Sequence, residues 1–136
     1  MSRNKILIFL LVMAGVIWLS GCSANTQRNS LNVEKALIGH WANVNGAFDY
    51  YISAAELIKV EKNGTTTNMT YVVIKLNDNE NTITIRVTNP AAVIKEEDNR
   101  DIKFTADKKT ITETVSVLGL KVGEDSYKYV DSKTKP

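Results

Sequence analysis

The densest group of residues able to do chemistry is acidic: Glu96, Glu97, Asp98 and Asp101 lie within six positions. Oxygen ligands gathered in this way can chelate a hard cation. Their spacing fits no EF-hand loop and the run lacks a central glycine, and the Asn77 to Asn81 stretch fails on the same grounds. Both read as solvated loops. His40 is the only histidine and Cys22 the only cysteine, which leaves little for zinc sites, cysteine nucleophiles or Ser-His-Asp arrangements. His40 stands between Gly39 and Trp41 at a strand start, a place for a surface or hydrogen-bonded histidine rather than a general base. Glu56, Glu61 and Glu113 fall on charged strand faces and offer no identifiable acid and nucleophile for glycoside chemistry. The expectation is a non-enzymatic protein with no catalytic residue, no metal and no cofactor.

The Cys22 thiol is given one role by the residues before it. Arg3 and Lys5 precede an unbroken apolar run from Ile6 to Leu19, 14 residues long. A permanent span needs about 20 apolar residues, so this run reads as a signal peptide. Leu19, Ser20 and Gly21 followed directly by Cys22 resemble the lipobox of bacterial lipoproteins. That resemblance implies signal-peptidase recognition of Leu19, Ser20 and Gly21, cleavage before Cys22, a diacylglyceryl group on its thiol and often an acyl chain, such as palmitate, on its freed amine. Two or three chains hold a protein firmly on a bilayer. The implied location is the outer, extracytoplasmic face of the cell membrane. Arg3 and Lys5 are two of the 17 basic residues, so 15 remain against 15 acidic ones once the signal is removed. A neutral mature chain gives no excess charge to attract nucleic acid.

The chain therefore divides into a signal peptide (1–21), a lipidated polar tether (22–30) and one small domain (31–136). Leu31 to Ile38 has room for at most two helical turns, and Gly39 would end them as a left-handed cap. Eight strands are predicted after it: His40 to Val44, Phe48 to Ser53, Glu56 to Glu61, Thr66 to Leu76, Thr82 to Thr88, Arg100 to Thr105, Thr110 to Leu118 and Ser126 to Asp131. Asn45-Gly46 and Asn63-Gly64 signal hairpins with positive φ at both central turn residues. Ile83, Ile85 and Val87 alternate with Thr82, Thr84 and Arg86, the pattern of a half-buried strand. The long gap at 89–99 holds Pro90, and a second loop is expected from Gly119 to Asp125. An eight-strand meander removes its edges by closing into an up-and-down barrel, all-β with a short N-terminal helix; two packed sheets are the alternative.

Gly39-His40-Trp41, after a short helical turn and at the head of the first strand, resembles the Gly-x-Trp element of lipocalins. The likeness implies that Gly39 and Trp41 form the barrel-base motif, with the indole under a basic residue near the last strand, for which Lys128 stands closest. It is an abridged likeness, without the Thr-Asp-Tyr element, the disulfide or the C-terminal helix. Gly39-His40-Trp41, Asp49 to Ser53, Thr112 to Val115 and Tyr127 to Asp131 also resemble small lipoproteins of bacilli that have no assigned activity. The eight aromatics of the domain are read first as core. If the barrel holds a pocket, one strand face supplies Tyr50, Ile52, Met69, Tyr71, Ile85 and Phe104. Two functions are carried forward: binding or sensing of a small apolar ligand, and a protein-interaction module acting as inhibitor or accessory factor on a cell-envelope protein.

Overall fold

A computed structural model describes residues 32–93 and 97–136. The predicted signal peptide, the expected lipidation motif at Leu19 to Cys22, the predicted tether and Glu96 lie outside the described residues.

One short helix, α1 (Val33–Leu37), precedes eight strands: β1 (Gly39–Asn43), β2 (Phe48–Ile52), β3 (Glu56–Glu61), β4 (Thr66–Asn77), β5 (Thr82–Thr88), β6 (Glu97–Phe104), β7 (Thr110–Val117) and β8 (Leu120–Asp131). Each strand pairs antiparallel with its sequence neighbour, and β8 returns to pair with β1. The result is the closed eight-stranded up-and-down barrel, not two packed sheets. Closure is staggered: on β4, Thr70 pairs with Glu56 at the start of β3 and with Thr88 at the end of β5. A twelve-residue β4 thus serves one neighbour with its first half and the other with its second.

Alternation selects the inside. On β5 the buried residues are Ile83, Ile85 and Val87, with Thr82, Thr84 and Arg86 turned to the other face; β6 buries Arg100, Ile102 and Phe104 in the same rhythm. At the end where β1 begins, α1 forms the lid. Asn32 caps it by accepting a 2.9 Å hydrogen bond from the Glu34 N–H, as an N-cap asparagine should. The Val33 N–H donates to Asp78 on the β4–β5 turn at 2.9 Å, while Val33 and Leu37 are fully buried against the strands. Each such apolar side chain contributes about 1.5–3 kcal/mol, which holds a helix far too short to persist alone.

Four expectations are corrected. β6 starts at Glu97, inside the predicted 89–99 loop, because Glu97, Asn99 and Asp101 lie opposite Thr88, Arg86 and Thr84 of β5 and form the polar outer face of a strand. The predicted loop from Gly119 to Asp125 is strand: β8 begins at Leu120, after a two-residue turn in which Leu118 and Gly119 have φ of 51° and 79°. The Asn-Gly pairs do mark hairpins, but only Gly46 (φ 65°) and Gly64 (φ 84°) are left-handed. Their N–H groups close turns onto Asn43 and Glu61, giving four-residue connections (44–47 and 62–65) with one left-handed glycine each rather than two-residue primed turns. Gly39 is not a helix cap either. Ile38 caps α1 with extended backbone, and Gly39, at φ 140°, lets β8 approach β1: a Cβ here would stand 2.7 Å from the Asp131 carbonyl oxygen and from Tyr129 Cε2.

Candidate functional site: a polar network inside the barrel

Inward positions on four strands bring Tyr50 (β2), Arg100 (β6), Glu113 (β7) and Tyr127 (β8) together inside the barrel, all at most 6% exposed. The Arg100 Nη1 donates to the Tyr50 hydroxyl at 2.7 Å and to Glu113 Oε1 at 3.1 Å. The Tyr127 hydroxyl donates to Glu113 Oε2 at 2.8 Å, so both carboxylate oxygens are engaged. Nη2 faces Asp98 Oδ2 at 3.7 Å and the Met69 thioether at 3.9 Å. Only Nε of Arg100, among the buried side-chain nitrogens and oxygens of the described residues, has no hydrogen-bond partner. Aromatic packing closes the set: the Tyr50 and Tyr127 rings lie 5.1 Å apart, and Phe48 meets both at 5.1 and 5.9 Å. Lys59 sits 4.4 Å over the Phe48 ring, a cation–π contact.

Burial, and then the Glu113 charge, push the Tyr50 phenol up to about 12. Burial, Glu113 and Tyr50 raise Tyr127 further. For Arg100 burial pulls the pKa down, but Tyr50 and Glu113 outweigh it and the guanidinium is held above its usual value. The network is therefore two phenols kept neutral, one guanidinium and the Glu113 side chain, each of whose oxygens already accepts a hydrogen bond. Such a set stitches β2, β6, β7 and β8 together; it presents neither a free base nor an activated nucleophile.

The six residues predicted to line a pocket are all buried in the core. Tyr50 and Met69 adjoin Arg100, whereas Ile52, Ile85 and Phe104 pack among apolar neighbours. Tyr71 donates its hydroxyl to the Ser53 carbonyl at 2.6 Å. Trp41 is fully buried, and its indole N–H donates to the Leu37 carbonyl at 2.8 Å, tying the lid to β1. Its ring meets Phe104 and Tyr129 edge-on at 6.0 and 5.3 Å. Lys128 does not cover it: that residue pairs with Ala42, one position out of phase with Trp41, and is exposed. Tyr129 takes the place expected of a basic residue.

Glu113 is the sharpest correction, since it was assigned to a charged strand face and is 2% exposed. Its signal was present in the phase of Ile111-x-Glu113, and Arg100 likewise keeps step with Ile102 and Phe104. The described members of the acidic run do not converge: Glu97 faces Arg86 at 3.6 Å, Asp98 faces Arg100, and Asp101 accepts from the Thr84 hydroxyl at 2.6 Å. Among the described residues no three His, Cys, Asp or Glu side chains are placed to hold a metal. His40 points outward, stacked on Tyr51 at 4.2 Å with Nε2 2.9 Å from Asp49. Among the described residues, two cavities lie against outer surfaces. One of about 560 Å³ lies over β3 and β4 beside Glu56, Ile58, Met69, Thr70, Pro90 and the C-terminal Pro136, so that Met69 alone of the six predicted pocket residues borders it; the other, of about 280 Å³, lies between α1 and the β6–β7 turn.

No protein-family model, curated protein or solved structure matches this chain.

Proposed function

We propose that this chain is a lipid-anchored extracytoplasmic protein, held on the membrane through Cys22, whose barrel is a non-enzymatic interaction module acting through its outer surface on another protein of the cell envelope. The observation that carries the second part is the mutual satisfaction of the interior. Tyr50, Tyr127 and Glu113 are bonded to one another or to Arg100, and Tyr71 and Trp41 are bonded to backbone carbonyls. Among the buried side-chain nitrogens and oxygens of the described residues only Arg100 Nε lacks a partner, so the other groups that would orient a ligand are already engaged. Native mass spectrometry of the full-length lipoprotein, released from detergent micelles, tests this. The expected mass is that of the lipidated chain alone; a reproducible further mass of a few hundred daltons, lost on denaturation, overturns it.

That second outcome is the alternative reading, a small-ligand binding or sensing module. One observation favours it: Arg100 Nε is buried and unpartnered, and an acidic group on an otherwise apolar ligand would complete it. The anchor has a separate check. Cys22→Ala is expected to leave an uncut, unlipidated precursor that no longer partitions with the mature form in detergent, and unchanged processing would refute the anchor without touching the argument about the barrel.

A further inference from the structure

The β7–β8 hairpin carries an apolar tip that the fold does not use. Leu118 is 97% exposed, Leu120 71% and Val122 62%. The ladder there pairs Val117 with Leu120 and Ser116 with Lys121, then resumes at Val115 with Gly123, so Val122 is an extra residue bulged from β8. The turn is the unusual part. A two-residue hairpin turn with positive φ at both positions is the natural place for Asn-Gly, yet its first position here is Leu118 at φ 51°. A branched apolar side chain in the left-handed region is strained, and this one is solvated. Strain held at an exposed apolar residue contributes nothing to the fold and points to a role outside it.

We infer that residues 117–122 form a finger that docks into an apolar recess of a partner protein; this deepens the interaction-module reading and rests on it. Three observations select a protein as the occupant. The chain enters the barrel at α1, so the tip and the segment that leads from Cys22 lie at opposite ends of the barrel. From Thr110 to Asp125 the described hairpin has one cation, Lys121, and it is paired with Glu124, which leaves no free positive charge to draw the tip to anionic lipid. The patch is also small, on the order of a few hundred Å². Two tips packed on each other fall well below the roughly 800 Å² per partner of a stable pair, whereas a recess enclosing the finger makes its few side chains a hot spot. Glu124 is neutralised by Lys121, so Asp125 is the acid beside the tip that favours a cationic group on the rim of the recess.

The test places a photo-crosslinking phenylalanine analogue at position 118 of the full-length lipoprotein in the cells that make it, with the same probe at Thr112 on the barrel flank and at Ile58 in the outer groove. The expected result is a protein adduct of one discrete mass from position 118, absent from position 112 and lost when Val122→Asp is added. Leu118→Asn relieves the turn, so it is expected to raise Tm by about 4 °C or more while competing poorly for the same partner. A lipid adduct, an adduct of twice the chain's own mass, or a fall in Tm for Leu118→Asn overturns the proposal. A discrete partner at Ile58 but not at 118 also overturns it and leaves the interaction-module reading standing; no protein adduct at any position sinks both.

Discussion

Tyr71 gives a test of how tightly the barrel base is closed, and its sign can be worked out in advance. Its hydroxyl donates to the Ser53 carbonyl at 2.6 Å, and burial, with the Glu34 carboxylate nearby, pushes its pKa up to about 12 from an ordinary 10. Because the folded state holds this proton more tightly than the unfolded state, the contribution to stability is fully present below pH 10 and is lost as pH rises through 12. Two pKa units correspond to about 3 kcal/mol as an upper bound, most of it gone by pH 12. Tyr71→Phe removes both effects: at neutral pH it costs about 1 kcal/mol for the lost hydrogen bond, and above pH 10 it is spared the ionisation penalty. The two stability profiles should therefore cross near pH 11, with the variant the more stable protein beyond that point. Urea titrations of both proteins between pH 7 and 12, followed by tryptophan fluorescence, measure the difference directly. Because Tyr50 and Tyr127 ionise in both proteins, their alkaline losses cancel. Parallel profiles with no crossing would refute the argument and mean that the phenol reaches water.

Two further variants test the close approach at the seam and the buried pair. Gly39→Ala forces a methyl group against the Asp131 carbonyl, 2.7 Å away, at a φ that side chains avoid, and should cost about 3 kcal/mol in the denaturant midpoint; a loss under 1 kcal/mol would show that β8 gives way freely. Glu113→Ala strands the Arg100 guanidinium inside the barrel and should cost about 3–5 kcal/mol, whereas the double change Arg100→Met with Glu113→Leu should recover most of that loss. Equal losses in the single and double variants, measured by the same denaturant titration, would show that the pair contributes packing alone.

The barrel was legible because its evidence is local. Thr82 to Thr88 alternates without a break, Asn45-Gly46 and Asn63-Gly64 mark the hairpins, and a run of eight short strands leaves little else to build. Boundaries failed where one side chain carried two meanings. Glu97 to Asn99 looked like a loop because acidic residues are rare in strands, yet their alternate positions face Thr88 and Arg86 across the ladder. Leu118-Gly119 hid a hairpin because leucine does not announce a left-handed turn. Gly39 was noticed for the right freedom and the wrong reason: the constraint on it comes from Asp131, 92 positions away in sequence, which no local window contains.

The interior network was missed through the same limit seen from the other side. A single glutamate on a strand looks solvated unless the partner that offsets its desolvation is known, and Arg100 becomes that partner only when β6 and β7 are in register. Once they are, the pair constrains that register in return. Sliding β7 by one residue turns Glu113 outward and leaves Arg100 buried beside two phenols with its carboxylate gone, a state several kcal/mol higher. An apolar core alone is more forgiving, because Ile111, Val115 and Val117 would leave the inner face while Thr112 and Thr114 replaced them at smaller cost. The network therefore does for this barrel what a disulfide does elsewhere: in a sequence with a single cysteine, the alignment of β6, β7 and β8 is fixed by charge and hydrogen bonding. That assignment accounts for why the interior holds an arginine and a glutamate, and it leaves the outer surface, the β7–β8 tip above all, as the part of the molecule free to act on something else.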